Sequence, residues 1–199
     1  MKADERSAEA DSLEQYRGYL RLLASQQIAA RFRGKLDPSG IVQDTLFEAH
    51  RELAGGLVVP SAERLAWLRK ILANNLADEV RKITADKRDV GREVSLQQAI
   101  EQSSQRLEQW LARDLAPGAP AELAEQVLQL VAALARLPEA QREAVALHYW
   151  SGLPLAEIAQ RLDRSRDAVA GLLKRGLRQL RAELKLQPDD DLPGESALV

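Results

Sequence analysis

Between Ser165 and Arg178 the chain places a hydroxyl and four cations, Arg166, Lys174, Arg175 and Arg178, at steps a helix can use. Side chains of this kind do recognition chemistry, not covalent chemistry. A guanidinium can donate two parallel hydrogen bonds to a guanine edge, and cationic groups neutralise phosphates. The rest of the sequence offers little to a catalyst. It has no cysteine, which excludes disulfides, thiolate metal sites and a cysteine nucleophile. His50 and His148 stand far apart in sequence without a HExxH-type neighbour, so neither a metal site nor a cofactor is expected. No Ser/His/Asp constellation and no phosphate-cradling Gly-rich loop is visible, and no enzyme is expected.

The elements that must position these cations read as two helices joined by a turn. Leu155, Ile158, Ala159 and Leu162 recur on one face of a first short helix. Ala159 is small where two helices would cross. Asp163 stands where the chain must turn sharply through a left-handed conformation, which glycine tolerates best and Asp tolerates next. Ser165 can cap a second helix by accepting from its free amides. Val169 fills the wedge, and Leu172, Leu173, Leu177 and Leu180 continue the inner face. The outer face displays Arg166, Asp167, Ala170, Lys174, Arg175 and Arg178. Such a helix fits the DNA major groove, with its N-terminal residues near base edges and its later cations near phosphates. A helical hairpin with no DNA role is the plainer alternative. The agreement of small, turn, wedge and cap residues with a basic outer face favours DNA.

The surrounding sequence is consistent with an all-α protein of two small helical domains joined by a linker. The 199 residues are 45 % apolar and 29 % charged, dominated by good helix formers. Helices are expected over Ser12 to Arg31, from an N-cap at Ser39 to about Leu53, and from Ser61 to about Lys82. The second of these carries Val42, Leu46 and Phe47 inward. The third carries Leu65, Leu68, Leu72, Leu76 and Val80 on one stripe, with Trp67 as a core aromatic. The periodicity weakens from Ile83 to Pro120, apart from a helix over Ser95 to Trp110, and this stretch is read as the linker. A second domain follows over 121–186, with helices to Arg136 and from Glu139 to Tyr149 before the helix pair. The acidic tail 187–199, with two prolines, is expected to be disordered.

The net charge of −2 hides an uneven distribution. Arg64 to Arg92 holds eight Lys/Arg against four Asp/Glu, and Arg164 to Lys185 seven against two, so two basic islands sit in an acidic body. No apolar run approaches the ~18 residues of a membrane span. The charged N-terminus lacks the apolar stretch of a secretory signal. A cytoplasmic protein without a membrane partner is expected.

Gly152 to Arg181 resembles region four of bacterial sigma factors. Gly152, Glu157, Ile158, Ala159, Leu162, Ser165, Val169, Leu173, Arg175 and Leu180 fall on that family's pattern, while Pro154, Asp163, Ala168 and Gly176 depart from it. Leu137 to Leu147 resembles the family's lead-in helix. In the N-terminal half, Ser39 to His50 resembles the family's D-x-V-Q-E-x-F-x-x-A-W segment, matched by Val42, Gln43 and Ala49, with Asp44 for the usual Glu. Trp67 to Lys82 resembles W-L-x-x-I-A-x-N-x-x-x-D-x-x-R, with Asn74, Asp78 and Arg81 on its Asn, Asp and Arg. The short length resembles the extracytoplasmic-function class.

The resemblance implies a sigma factor that binds core RNA polymerase and directs promoter recognition and opening. By it, residues 1–82 form a region-two-like domain in which Gln43 and Asp44 touch the polymerase. Asn74, Asp78, Arg81 and Lys82 handle the −10 element, Asn74 bonding a base edge and the cations holding backbone. The loop Ala54 to Pro60 corresponds to a base-capturing loop. Residues 121–186 read the −35 element through Ser165, Arg166, Lys174, Arg175 and Arg178. Promoter DNA and an anti-sigma factor are the further partners implied. The alternatives are a helix-turn-helix regulator that is not a polymerase subunit, and a helical adaptor that binds only protein.

Overall fold

A computed structural model of the chain describes residues 13–28, 35–84, 90–112 and 120–184. Among them every regular element is helical and none is a strand. The helices are α1 (Arg17–Gln27), α2 (Pro38–Ala54), α3 (Arg64–Thr84), α4 (Val90–Trp110), α5 (Pro120–Arg136), α6 (Glu139–Val145), α7 (Leu155–Leu162) and α8 (Arg166–Glu183). A 3-10 turn at Ser61–Glu63 leads into α3, and a π turn at Ala146–Trp150 continues α6. No described helix is long and apolar enough to cross a membrane. The chain divides into two compact units, residues 1–102 and 103–199, with the division inside α4.

In the first unit, α1 packs on α2 and α3, and α2 packs on α3. The stripe read for α3 from the sequence, Leu65, Leu68, Leu72, Leu76 and Val80, is buried. Tyr19, Leu20 and Leu23 of α1 and Leu68, Leu72 and Leu76 of α3 are wholly inaccessible. Helix α2 starts two residues earlier than the expected Ser39 cap. Asp37 is the N-cap: its carboxylate accepts from the amides of Ser39 (2.9 Å) and Gly40 (3.0 Å). Pro38 takes the first helical position, where a missing N–H costs nothing. A carboxylate satisfies two orphan amides and suits the positive end of the helix dipole, so Asp37 outcompetes the hydroxyl at 39.

Two apolar residues expected inward are placed otherwise. Phe47 is 65 % exposed on α2, although Val42 and Leu46 are buried as expected. Phe47 follows Leu46 directly, and adjacent helix positions lie about 100° apart, so one stripe cannot bury both. Trp67 is half-buried, not a core residue, and its indole N–H donates to Glu52 (3.2 Å). Arg69, by contrast, belongs to the sequence's basic island yet is buried. It donates to Glu101 through Nε (2.9 Å) and Nη2 (3.1 Å), and to the Tyr19 hydroxyl through Nη1 (3.0 Å). Burial penalises its charge, but Tyr19 and Glu101 outweigh that and raise the guanidinium pKa above its ordinary value. Glu101 lies on the first part of α4, so the stretch read as linker contains a helix that is tied into the first unit.

In the second unit, α8 packs against α5, α6 and α7. Val127, Leu130, Leu134, Val145, Trp150, Ile158, Val169 and Leu180 form its dry interior. Helix α8 crosses α6 closely at Gly176. A β-carbon there would lie 3.0 Å from Val145 Cγ2 and 3.6 Å from Gln141 Cβ, which accounts physically for a glycine in the middle of a long helix. The remainder of the expected first helix (Ser12, Ala29–Arg31) and the tail 187–199 lie outside the described residues.

Candidate nucleic-acid interface

The helix-turn-helix forms as the sequence reading requires. Leu155, Ile158 and Ala159 of α7 are buried, as are Val169, Leu172, Leu173, Leu177 and Leu180 of α8, while Leu162 is half-buried. Asp163 ends α7 in the left-handed region (φ 51°, ψ 53°) and has the only positive φ among the described non-glycine residues. Its amide and that of Arg164 return to carbonyls of the last turn of α7, with Arg164 N donating to Ala159 O at 2.9 Å. Ser165 then caps α8: its hydroxyl accepts from the Ala168 amide at 3.1 Å. Leu172 points inward, so it is not part of the outer surface.

The outer face is as basic as expected. Arg164, Ser165, Arg166, Lys174, Arg175 and Arg178 are all exposed. An open groove at the α7–α8 turn is walled by Gln160, Asp163, Arg164, Ser165 and Arg166. Arg175 folds back along its own helix, and its Nη1 lies 3.3 Å from where a β-carbon of Gly171 would be. The absence of a side chain at Gly171 leaves that guanidinium flat against the helix surface. Sequence reasoning passed over Gly171; a glycine four residues before an arginine on the outer face was the available signal.

In the first unit the structure gathers residues from two separately expected sites. Asp44, Phe47 and Glu48 of α2 and Asp78, Glu79 and Lys82 of α3 wall one groove. Gln43 and Asn74 are exposed and do not line it. Asn75, on the groove floor, donates to Thr45 (3.3 Å) and Glu48 (3.2 Å), which fixes the α2–α3 register. Asp78 pairs with Arg81, and Glu79 accepts from Lys82 at 2.5 Å. Glu79, with weaker help from Asp78 and Asp44, raises the Lys82 pKa above its ordinary value. The groove carries more acids than bases, with Arg51 and Lys82 as its lining cations. Bare phosphates are therefore unfavoured between its walls. The loop after α2 exposes Val58 almost fully and Leu57 by half.

No three His, Asp or Glu among the described residues come together as a metal-binding cluster. No curated protein matches the chain. The family comparison falls on the second unit: residues 128–180, from within α5 to Leu180 of α8, match the family model described as Sigma-70, region 4, a family of DNA-binding transcription domains, and the helix-turn-helix lies within the matched span.

Proposed function

We propose that the chain is a sigma factor of the extracytoplasmic-function class. It joins core RNA polymerase, selects promoters and assists their opening, in the cytoplasm where that enzyme works. The observation that carries this reading is the region 4 helix-turn-helix with its exposed basic face. Arg166, next to the Ser165 cap at the N-terminus of α8, meets base edges of the −35 element. Lys174, Arg175 and Arg178 meet phosphates further along the groove.

A region-two-like part of the first unit, residues 1–82, supplies the polymerase-binding and −10 functions. Gln43 and Asp44 contact the enzyme, and the acidic groove beside Asp44 favours a basic protein partner over nucleic acid. Asn74, exposed on α3, hydrogen-bonds an unstacked base, and Arg81 and Lys82 hold the strand's backbone, Lys82 from the rim of the acidic groove through its largely exposed side chain and not between the walls. Asp78 acts through Arg81, whose guanidinium it orients. The exposed Leu57 and Val58 supply apolar surface for a flipped base. An anti-sigma factor covering the polymerase-binding face is a further partner of this reading.

Reconstituted transcription tests it. Purified core polymerase, given this chain and a genomic DNA template, is expected to begin transcripts at discrete sites absent without it. A chain that binds duplex DNA but leaves start-site choice unchanged is a regulator outside the polymerase, and the sigma assignment fails.

A further inference from the structure

We propose that Arg106, which lies outside the region 4 match, is a positioning residue for the helix-turn-helix. From the second part of α4 it holds the Trp150–Gly152 turn that sets where α7 begins. The inference rests on the DNA-binding reading of α8 given above.

Arg106 Nη1 donates to the Ser151 carbonyl at 3.0 Å and makes a longer 3.5 Å contact with the Trp150 carbonyl. These carbonyls close the helical segment 139–150, where orphan acceptors and the negative end of the helix dipole favour a cation. Gly152 (φ +67°) is the hinge of the turn, and a β-carbon on it would stand 3.3 Å from the guanidinium carbon. The glycine thus serves two needs at once: a left-handed backbone and a bare surface for Arg106. Gly152 fits the family pattern, but Arg106, 46 positions earlier, has no place in it.

Two neighbours fix the same stretch. Trp110, one turn beyond Arg106 on α4, stacks on Tyr149 with ring centroids 4.4 Å apart and planes 17° apart. His148 Nδ1 meets the Leu153 carbonyl at 3.1 Å. Immediately after, the Pro154 carbonyl accepts from Glu157 (3.0 Å) and Ile158 (3.1 Å), so the first turn of α7 hangs from the segment that Arg106 holds. The direction of α7, and through the packing of α7 on α8 that of α8, is therefore set partly from α4. Arg106 itself is exposed, so its replacement leaves the interior intact.

The experiment uses the full chain and duplexes selected by it from a randomised pool. Arg106→Ala is expected to weaken binding about two- to tenfold, the range of one lost hydrogen-bonding partner. The slope of log Kd against log salt should stay as it was, because no phosphate contact is lost. Amides of Ser151 and Leu153 should exchange faster, while those of Leu173 and Leu177 keep their protection. Arg106→Lys, which retains the charge but not the fork, should fall between. A slope shallower by about one would mean a direct phosphate contact and overturn the positioning role. Unchanged affinity and unchanged turn exchange in Arg106→Ala, against a chain that binds, would overturn the proposal alone. Failure of the unsubstituted chain to select any duplex would overturn the DNA reading and this proposal with it.

Discussion

Helix α8 contains two glycines that should respond to alanine in opposite directions. In a helix interior, Gly→Ala ordinarily stabilises by about 0.5–1 kcal/mol, because glycine loses more backbone freedom on folding. At Gly171 the new methyl meets only the far end of the Arg175 side chain, which can swing away, so the full gain is expected. At Gly176 the methyl lies 3.0 Å from Cγ2 of Val145, a fully buried β-branched residue on α6. Valine in a helix has one strongly preferred rotamer, so it cannot step aside without moving its backbone. Overpacking of this kind costs about 1–3 kcal/mol, and after the helix-propensity gain the net change is a destabilisation of up to about 2.5 kcal/mol. Native-state amide exchange at Leu173 and Leu177 reads the second unit directly, which a two-unit melting curve does not. Exchange should slow in Gly171→Ala and quicken in Gly176→Ala. If both substitutions slow it equally, the close crossing of α6 and α8 is not what constrains position 176.

Arg69→Ala would leave the Tyr19 hydroxyl and the Glu101 carboxylate without their shared donor. A loss of about 1–3 kcal/mol is expected in the first unit, read as faster exchange at Leu68 and Leu72 with Leu173 unaffected; undisturbed exchange there would show the network to be ornamental. Arg175→Glu should weaken binding to the selected duplex by about 1–3 kcal/mol in a mobility-shift titration, and equal affinity would remove Arg175 from the interface. Asp44→Arg should reduce co-purification with core polymerase while far-UV circular dichroism is unchanged, and equal recovery would move the docking surface elsewhere.

What was legible in the sequence follows from how local each cause is. The helix-turn-helix could be read because its determinants lie within one 30-residue stretch: the Asp163 turn, the Ser165 cap and the Val169 wedge each act over a few positions. The apolar stripe of α3 was readable because period alone decides which residues it buries. Capping misled at α2, where Ser39 and Asp37 both qualify and the choice depended on which could serve two amides beside Pro38. Charge counting misled at Arg69, because its partners Tyr19 and Glu101 stand 50 and 32 positions away. The joint groove of Asp44 and Lys82 was invisible for the same reason. Each lies on its own helix, and only the packing of α2 on α3 brings them together.

The π turn at Ala146–Trp150 bears on how this module tolerates changes in length. Ser151 N reaches back five residues to Ala146 O, so the turn accommodates one residue more than an α-helical turn would. In an ordinary helix Val145 and Trp150 would point about 140° apart, yet both are buried. The wide turn behaves as an absorbed insertion, with the surplus position displaced sideways and the indole kept in phase with the interior. His148 and Tyr149 occupy the displaced arc, and Tyr149 is the ring on which Trp110 rests. A chain shortened by one residue here would keep Trp150 seated and lose that aromatic platform, so a deletion at this point acts on the attachment of α4 and spares the core.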